Sequence, residues 1–214
     1  MPRYDPKGIK AEFEPGSRGR VLRNRLGITR VRDIQLAESQ ALRLAQREAI
    51  NAFSDEHIFT VSDICQLHRM WLSPIYDWAG EFRVANVGKG GFQFASARLI
   101  PELTAAFGRE VLRRYTPCRP GSDAKVAQAL AVVHGEFVLI HPFREGNGRL
   151  ARLLALLMGL QAGLPPLDFS PLDGRGKRRY IAGIHAAVGN DYDLLTEMFL
   201  RVIDRTRKTA SSSI

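Results

Sequence analysis

The pattern of apolar residues predicts a mainly α protein, a helical bundle with one small β-hairpin. Three observations carry that expectation. Apolar residues recur at steps of three and four over most of the chain. The stretch from Arg149 to Ala162 is apolar on nearly every side, which marks a central buried helix. Only Phe82 to Phe94, reading FRVANVGKGGFQF, sets β-branched and aromatic residues around clustered glycines, the signal of a hairpin.

Residues 1–30 are rich in Pro, Gly and Arg and read as a basic arm lying over the surface of a domain spanning 31–204. The first helix is expected from about Val31 to Phe53, with an apolar stripe of Ile34, Leu36, Ala37, Ala41, Leu44, Ala45 and Ala49. Thr60 to Asp63 opens a second helix, with Ile64, Leu67, His68 and Trp71 on one face and Pro74 as its stop. After the hairpin, a helix is expected over about Arg98–Arg114. Ser122 or Asp123 caps the next one, whose inward positions are Val126, Leu130, Val133, Phe137 and Ile140. The central helix ends at Gly163 and Pro165. Arg178–Ala187 and Tyr192–Asp204 are two more amphipathic helices. Residues 205–214 form a basic, Ser-rich tail expected to be frayed and disordered.

Composition narrows the function classes. The 214 residues are 45% apolar and 25% charged, which excludes wholesale disorder and gives one domain a substantial core. Thirty-one Lys and Arg against 22 Asp and Glu leave a net charge of +9, which suits an anionic partner without naming one. Cys65 and Cys118 form no C-x-x-C pair, so a disulfide framework and a zinc ribbon are both ruled out. The first ten residues hold no apolar signal region, and Leu150–Leu164 is too short and too interrupted to span a bilayer. A cytoplasmic chain with no membrane role is expected.

The chemistry sits between the two central helices, in His141-Pro-Phe-Arg-Glu-Gly-Asn-Gly-Arg-Leu-Ala-Arg152. Pro142 disfavours helical geometry at His141, so the preceding helix ends there. Gly146, Asn147 and Gly148 make a tight loop running into a helix start. Backbone N–H groups released from side-chain bulk at such a start form an anion nest. Arg149 and Arg152 share one face at that positive end, and two guanidinium forks suit a polyphosphate. Glu145 is a single carboxylate, and one carboxylate with substrate phosphates is a common way to hold Mg²⁺. His141 sits at the mouth, the usual proton acceptor near neutral pH.

That segment resembles the Fic family signature, H-P-F-x-(D/E)-G-N-G-R-x-x-R, at every specified position. The resemblance continues in Tyr76 to Arg83, similar to the segment before the family's target-binding flap, and in Lys89 to Ala95, similar to the flap itself. The arm from Pro15 to Gly27 is similar to that of Fic toxins paired with a small separate antitoxin. The resemblance implies the Fic fold, a bundle around a central helix-loop-helix active site, and adenylylation: AMP moves from ATP to a target hydroxyl. It makes His141 the general base and Glu145 the Mg²⁺ ligand. It makes Gly146, Asn147 and Gly148 the anion hole, with the Asn147 side chain near the α-phosphate. Arg149 and Arg152 become β/γ-phosphate contacts, Phe143 a core plug and Tyr180 an aromatic of the adenine pocket. Lys89, Phe92 and Phe94 are the expected flap side chains at an exposed strand edge, where a target segment could add. Gly148 favours AMP transfer over the kinase branch, which carries lysine there. The resemblance to toxins implies DNA gyrase or topoisomerase IV subunits as targets, and the resemblance to effector relatives implies small GTPases; the topoisomerases are the favoured expectation.

Other readings stay open. His134-Gly-Glu136 has the H-x-E form of a zinc deaminase but lacks the P-C-x-x-C partner. A Fic-type kinase is one alternative. A basic nucleic-acid-binding helical protein is another, though the basic residues are spread along the chain and no nucleic-acid module is recognisable, so no direct nucleic-acid role is expected. Many Fic proteins carry an inhibitory helix, (S/T)-x-x-x-E-(G/N). No glutamate here has Ser or Thr four residues before it. A small helical antitoxin supplying that glutamate in trans, against the N-terminal arm and Arg152, is therefore expected, with a degenerate inhibitory helix in the C-terminal tail as the alternative.

Overall fold

The computed structural model describes residues 13–119 and 121–211. Among them run α1 (Val31–Ala52), α2 (Val61–Leu72), β1 (Gly88–Lys89), β2 (Phe92–Gln93), α3 (Ile100–Ala106), α4 (Arg113–Tyr115), α5 (Asp123–Ile140), α6 (Asn147–Gln161), α7 (Lys177–Ala186) and α8 (Asp193–Ser211). A π-helical turn, Phe107–Leu112, joins α3 to α4. The helical bundle and its single two-stranded antiparallel sheet are the architecture the apolar periodicity predicts. No helix among the described residues is long and apolar enough to cross a membrane.

Helices α5 and α6 are the centre. Val126, Leu130, Val133, Phe137 and Ile140 all point inward from α5, and Leu150 to Met158 is buried on every side but one. α8 packs along α5 through Leu195, Met198, Phe199, Val202 and Ile203. Caps set the helix starts as the sequence suggests. Thr60 and Asp63 make a reciprocal capping box on α2, and the Ser122 side chain accepts from Lys125 N on α5. The hairpin register is Gly88 opposite Gln93 and Lys89 opposite Phe92. Gly90 and Gly91 lie at φ +58° and +85°, the left-handed pair that a two-residue hairpin loop requires.

Two expectations are corrected. The tail predicted to fray from Arg205 is helix through Ser211, with residues 212–214 outside the described residues. Thr206 is buried and its hydroxyl accepts from Asp168 N, while Arg207 grips Asp123 with both arms of its fork. Those contacts anchor the last turns to α5 and to the α6–α7 connection, which composition could not show. On α1, Leu36 and Leu44 are exposed, whereas Glu38 is only 2% exposed. The inward position is polar because α6 brings Arg149 against it.

The arm, of which residues 1–12 lie outside the described residues, carries no helix over 13–30. Phe13 bridges Leu22, Val21 is buried, and Arg25 donates from its backbone to Ile75 O and from its side chain to Ser73 O and Asp77.

Candidate active site

The loop between α5 and α6 carries the site. His141 ends α5 with φ +52° and ψ +56°, a left-handed cap, and the proline that follows disfavours continuing the helix through it. Its Nδ1 lies 3.0 Å from Val138 O. A carbonyl can only accept, so Nδ1 carries the proton and the lone pair is on Nε2. Burial pushes the His141 pKa down to about 3, with Arg83 and Lys89 adding to the depression against the Val138 hydrogen bond. The ring is therefore neutral at physiological pH, as a proton acceptor must be.

Phe143 is fully buried and stacks on His68 with centroids 3.9 Å apart. His68 Nδ1 accepts from Gly80 N, so its Nε2–H donates to Glu145 O at 3.1 Å. Burial pushes this ring down to about 4, which keeps that neutral tautomer in place. Gly146 opens α6 at φ +86°, and a Cβ there would sit 2.7 Å from the Trp71 ring. No side chain caps α6 among the described residues. Its first N–H groups therefore face the loop without a capping side chain, the arrangement that binds anions. A Cβ on Gly148 would meet nothing within 4 Å, so the space before it is open.

Asn147 departs from its expected role. It is fully buried, its Oδ1 accepts from Phe143 N at 2.9 Å, and its Nδ2 donates to Phe143 O at 2.7 Å. The side chain pins the loop, because each of its polar ends makes a bond inside the turn. Glu145, 6% exposed, accepts from Gly146 N and from Arg149.

The two arginines differ. Arg149 is held 2.8 Å from Glu38 Oε2 and 3.3 Å from Glu145, with its guanidinium 4.5 Å above the Trp71 ring. Glu38 also accepts from Tyr76 at 2.7 Å. Arg152, as partly buried as Arg149, forks onto the exposed Asp173 at 2.9 and 2.8 Å. Tyr180 lies beside it, ring centroid 6.0 Å from the guanidinium, with its hydroxyl 2.8 Å from Nε2 of buried His134. Burial pushes the Tyr180 phenol up to about 12 and the His134 imidazole down to about 3.

Over the other end lies the hairpin. Phe94 stacks on His141 at 3.7 Å and 15°, and Phe92 stacks on His185 at 4.7 Å. Lys89 is exposed. Four contributors escaped sequence reasoning: Glu38, His68, Arg83 and Asp173. A Glu and a His on the buried faces of α1 and α2 were a usable signal for the first two, because buried polar groups require partners. Nothing local marks the other two.

One helical scaffold thus brings together a buried histidine on a left-handed helix end, a glycine-opened loop and a helix start with no side-chain cap among the described residues. Residues 58–158 match the Fic/DOC family model. It is 28% identical over 183 residues to the probable protein adenylyltransferase y4lH of Sinorhizobium fredii, covering 86% of this chain and 91% of that one. It is 28% identical over 186 residues to the protein adenylyltransferase VbhT of Bartonella schoenbuchensis, with 85% and 37% covered. The chain thus spans nearly all of the first relative and little more than a third of the second. Among solved structures, BepC of Bartonella tribocorum with bound AMPPNP superposes with a TM-score of 0.72 at 18% identity, covering 89% of this chain and 95% of that one. A Fic domain of Bartonella quintana with bound ADP gives 0.72 at 20%, covering 89% and 93%. At those identities the likeness concerns the fold.

Proposed function

We propose that this chain transfers AMP from ATP to a hydroxyl side chain of a target protein. The observation that carries the reading is the pairing, within one loop, of a neutral histidine whose lone pair is on Nε2 with a helix start left open to an anion. The target hydroxyl gives its proton to Nε2 as its oxygen attacks the α-phosphorus. The bond from the α-phosphorus to the bridging oxygen breaks, and pyrophosphate leaves with that bond's electrons. Backbone N–H groups of Asn147 and Gly148 hold the charge that grows on the phosphate oxygens, while the Gly146 N–H is kept by Glu145. Arg152 takes the distal phosphates once Asp173 gives way, and Arg149 orients Glu145. Tyr180 lines the adenine end.

Mg²⁺ fits the donor set. Among the described residues no cluster of three or more His, Cys, Asp or Glu could cage a metal. The one loop carboxylate, Glu145, with ATP phosphates completing the shell, is how this hard ion is usually held. When bound, it neutralises phosphate charge.

The hairpin, with Lys89, Phe92 and Phe94, is the docking edge for the target. The resemblance of the arm to those of antitoxin-paired toxins supports a toxin acting on gyrase or topoisomerase IV subunits. It also supports a small antitoxin whose glutamate competes with Asp173 for Arg152. Incubation with α-labelled ATP and bacterial lysate should label a target band in the wild type and not in His141→Ala. Label arriving from the γ-position instead would make the chain a kinase.

A further inference from the structure

Arg83 is 5% exposed and has no carboxylate partner among the described residues. A guanidinium is costly to bury unless its donors are satisfied. Here backbone carbonyls do that work. Nε donates to His141 O at 2.6 Å and Nη2 to Ile140 O at 3.3 Å. These are end carbonyls of α5, which have no intrahelical donor and carry the negative end of the helix dipole. Nη1 donates to Ala85 O at 2.8 Å, and Nη2 donates also to Ala95 O. Ala85 lies just ahead of the hairpin and Ala95 just behind it. The backbone adds Arg83 N to Pro142 O and Ala95 N to Leu139 O. One side chain thus joins both roots of the hairpin to the peptide that carries the base.

We infer that Arg83 is a positioning residue for transfer: its fork fixes the height of the hairpin over His141, and so the distance from a docked hydroxyl to Nε2. The inference rests on the reading of the hairpin as the target-docking edge. An apolar residue of equal length could fill the same space, but it could not hold four carbonyls from two segments in one geometry. The stack of Phe94 on His141 is the visible result of that registration.

The test uses the full chain with Arg83→Met, which keeps length and loses every donor, and Arg83→Lys, which keeps charge and loses the fork. Four readouts are needed: thermal unfolding, binding of a non-hydrolysable ATP analogue, transfer kinetics to the target, and hydrogen exchange of the amides over 87–94. In folded Arg83→Met, kcat should fall by about 30- to 100-fold, as misplacement near 1 Å does. Nucleotide affinity should stay within about threefold, and hairpin amides should exchange roughly tenfold faster. Arg83→Lys should lie between. A kcat near wild type, or a parallel loss of nucleotide affinity, overturns the inference. If Arg83→Met does not fold, Arg83→Lys is judged by the same criteria. If the wild type transfers no AMP, the functional reading fails separately, and unchanged hairpin exchange in the variants then overturns this one.

Discussion

The two ends of the signature loop are built on opposite principles. At the base end everything is buried: His141 is 4% exposed, its Nδ1–H is fixed by Val138 O, and its backbone is clamped by buried Arg83. At the far end Arg152 is only partly buried and its partner Asp173 is exposed. The contrast teaches how one loop divides its tasks. A proton acceptor needs a fixed tautomer and fixed direction, which burial provides. A phosphate-gripping arginine must exchange partners, and an exposed ion pair is cheap to exchange.

The sharpest break in that contrast is at the base. His141→Ala should lower transfer by about 10²- to 10⁴-fold while nucleotide binding changes by about twofold at most. Single-turnover kinetics beside calorimetry would show it, and a matching loss of nucleotide binding would mean that the two ends are not separable.

Next is Glu38, buried under Arg149 and bonded to Tyr76. Glu38→Ala leaves a half-buried guanidinium without its nearest carboxylate, and should cost about 3 kcal/mol in stability. Urea unfolding measures this, and a loss below about 1 kcal/mol would show that Glu145 alone suffices to hold Arg149.

Acid should attack the buried histidines, which lie at both ends of the loop, His141 beside Arg83 and His134 under Tyr180 near Arg152. His134 and His141 both sit near 3 in the fold, against about 6.5 when unfolded. Between those values the unfolded chain binds protons that the native chain does not. Stability therefore falls as pH drops below about 6.5, by up to about 1.4 kcal/mol per pH unit for each histidine. Denaturant midpoints measured from pH 7 to 5 would test the sign, and a flat profile would mean that both rings protonate in place.

The smallest effect belongs to the exposed end. Asp173→Asn frees Arg152 and should lower the KM for ATP by about two- to fivefold, the scale of a surface ion pair. No change would show that Asp173 does not compete with the nucleotide. A rise would show that it orients Arg152 for binding.

Much of this was legible beforehand, and the reasons are local. Pro142 fixes the end of α5, and Gly146 is the only residue type that fits φ +86° beside Trp71, so the loop shape is written in its own residues. Asn147 was legible as important but not in its role. A side chain that caps its own loop and one that reaches a ligand have the same spacing, and only the bonds to Phe143 separate them.

By itself the sequence determined the helices, their caps, the hairpin turn and the loop that carries His141, because each follows from steric and hydrogen-bonding preferences over a few neighbouring residues. The tertiary structure alone decided which distant partner several charged groups met. Glu38 meets Arg149 across 111 positions, and Arg83 reaches His141 across 58. Asp173 takes Arg152, and Arg207 anchors the end of α8 on Asp123. Ionic and carbonyl pairings of that span depend on how whole helices pack, and no local pattern encodes them.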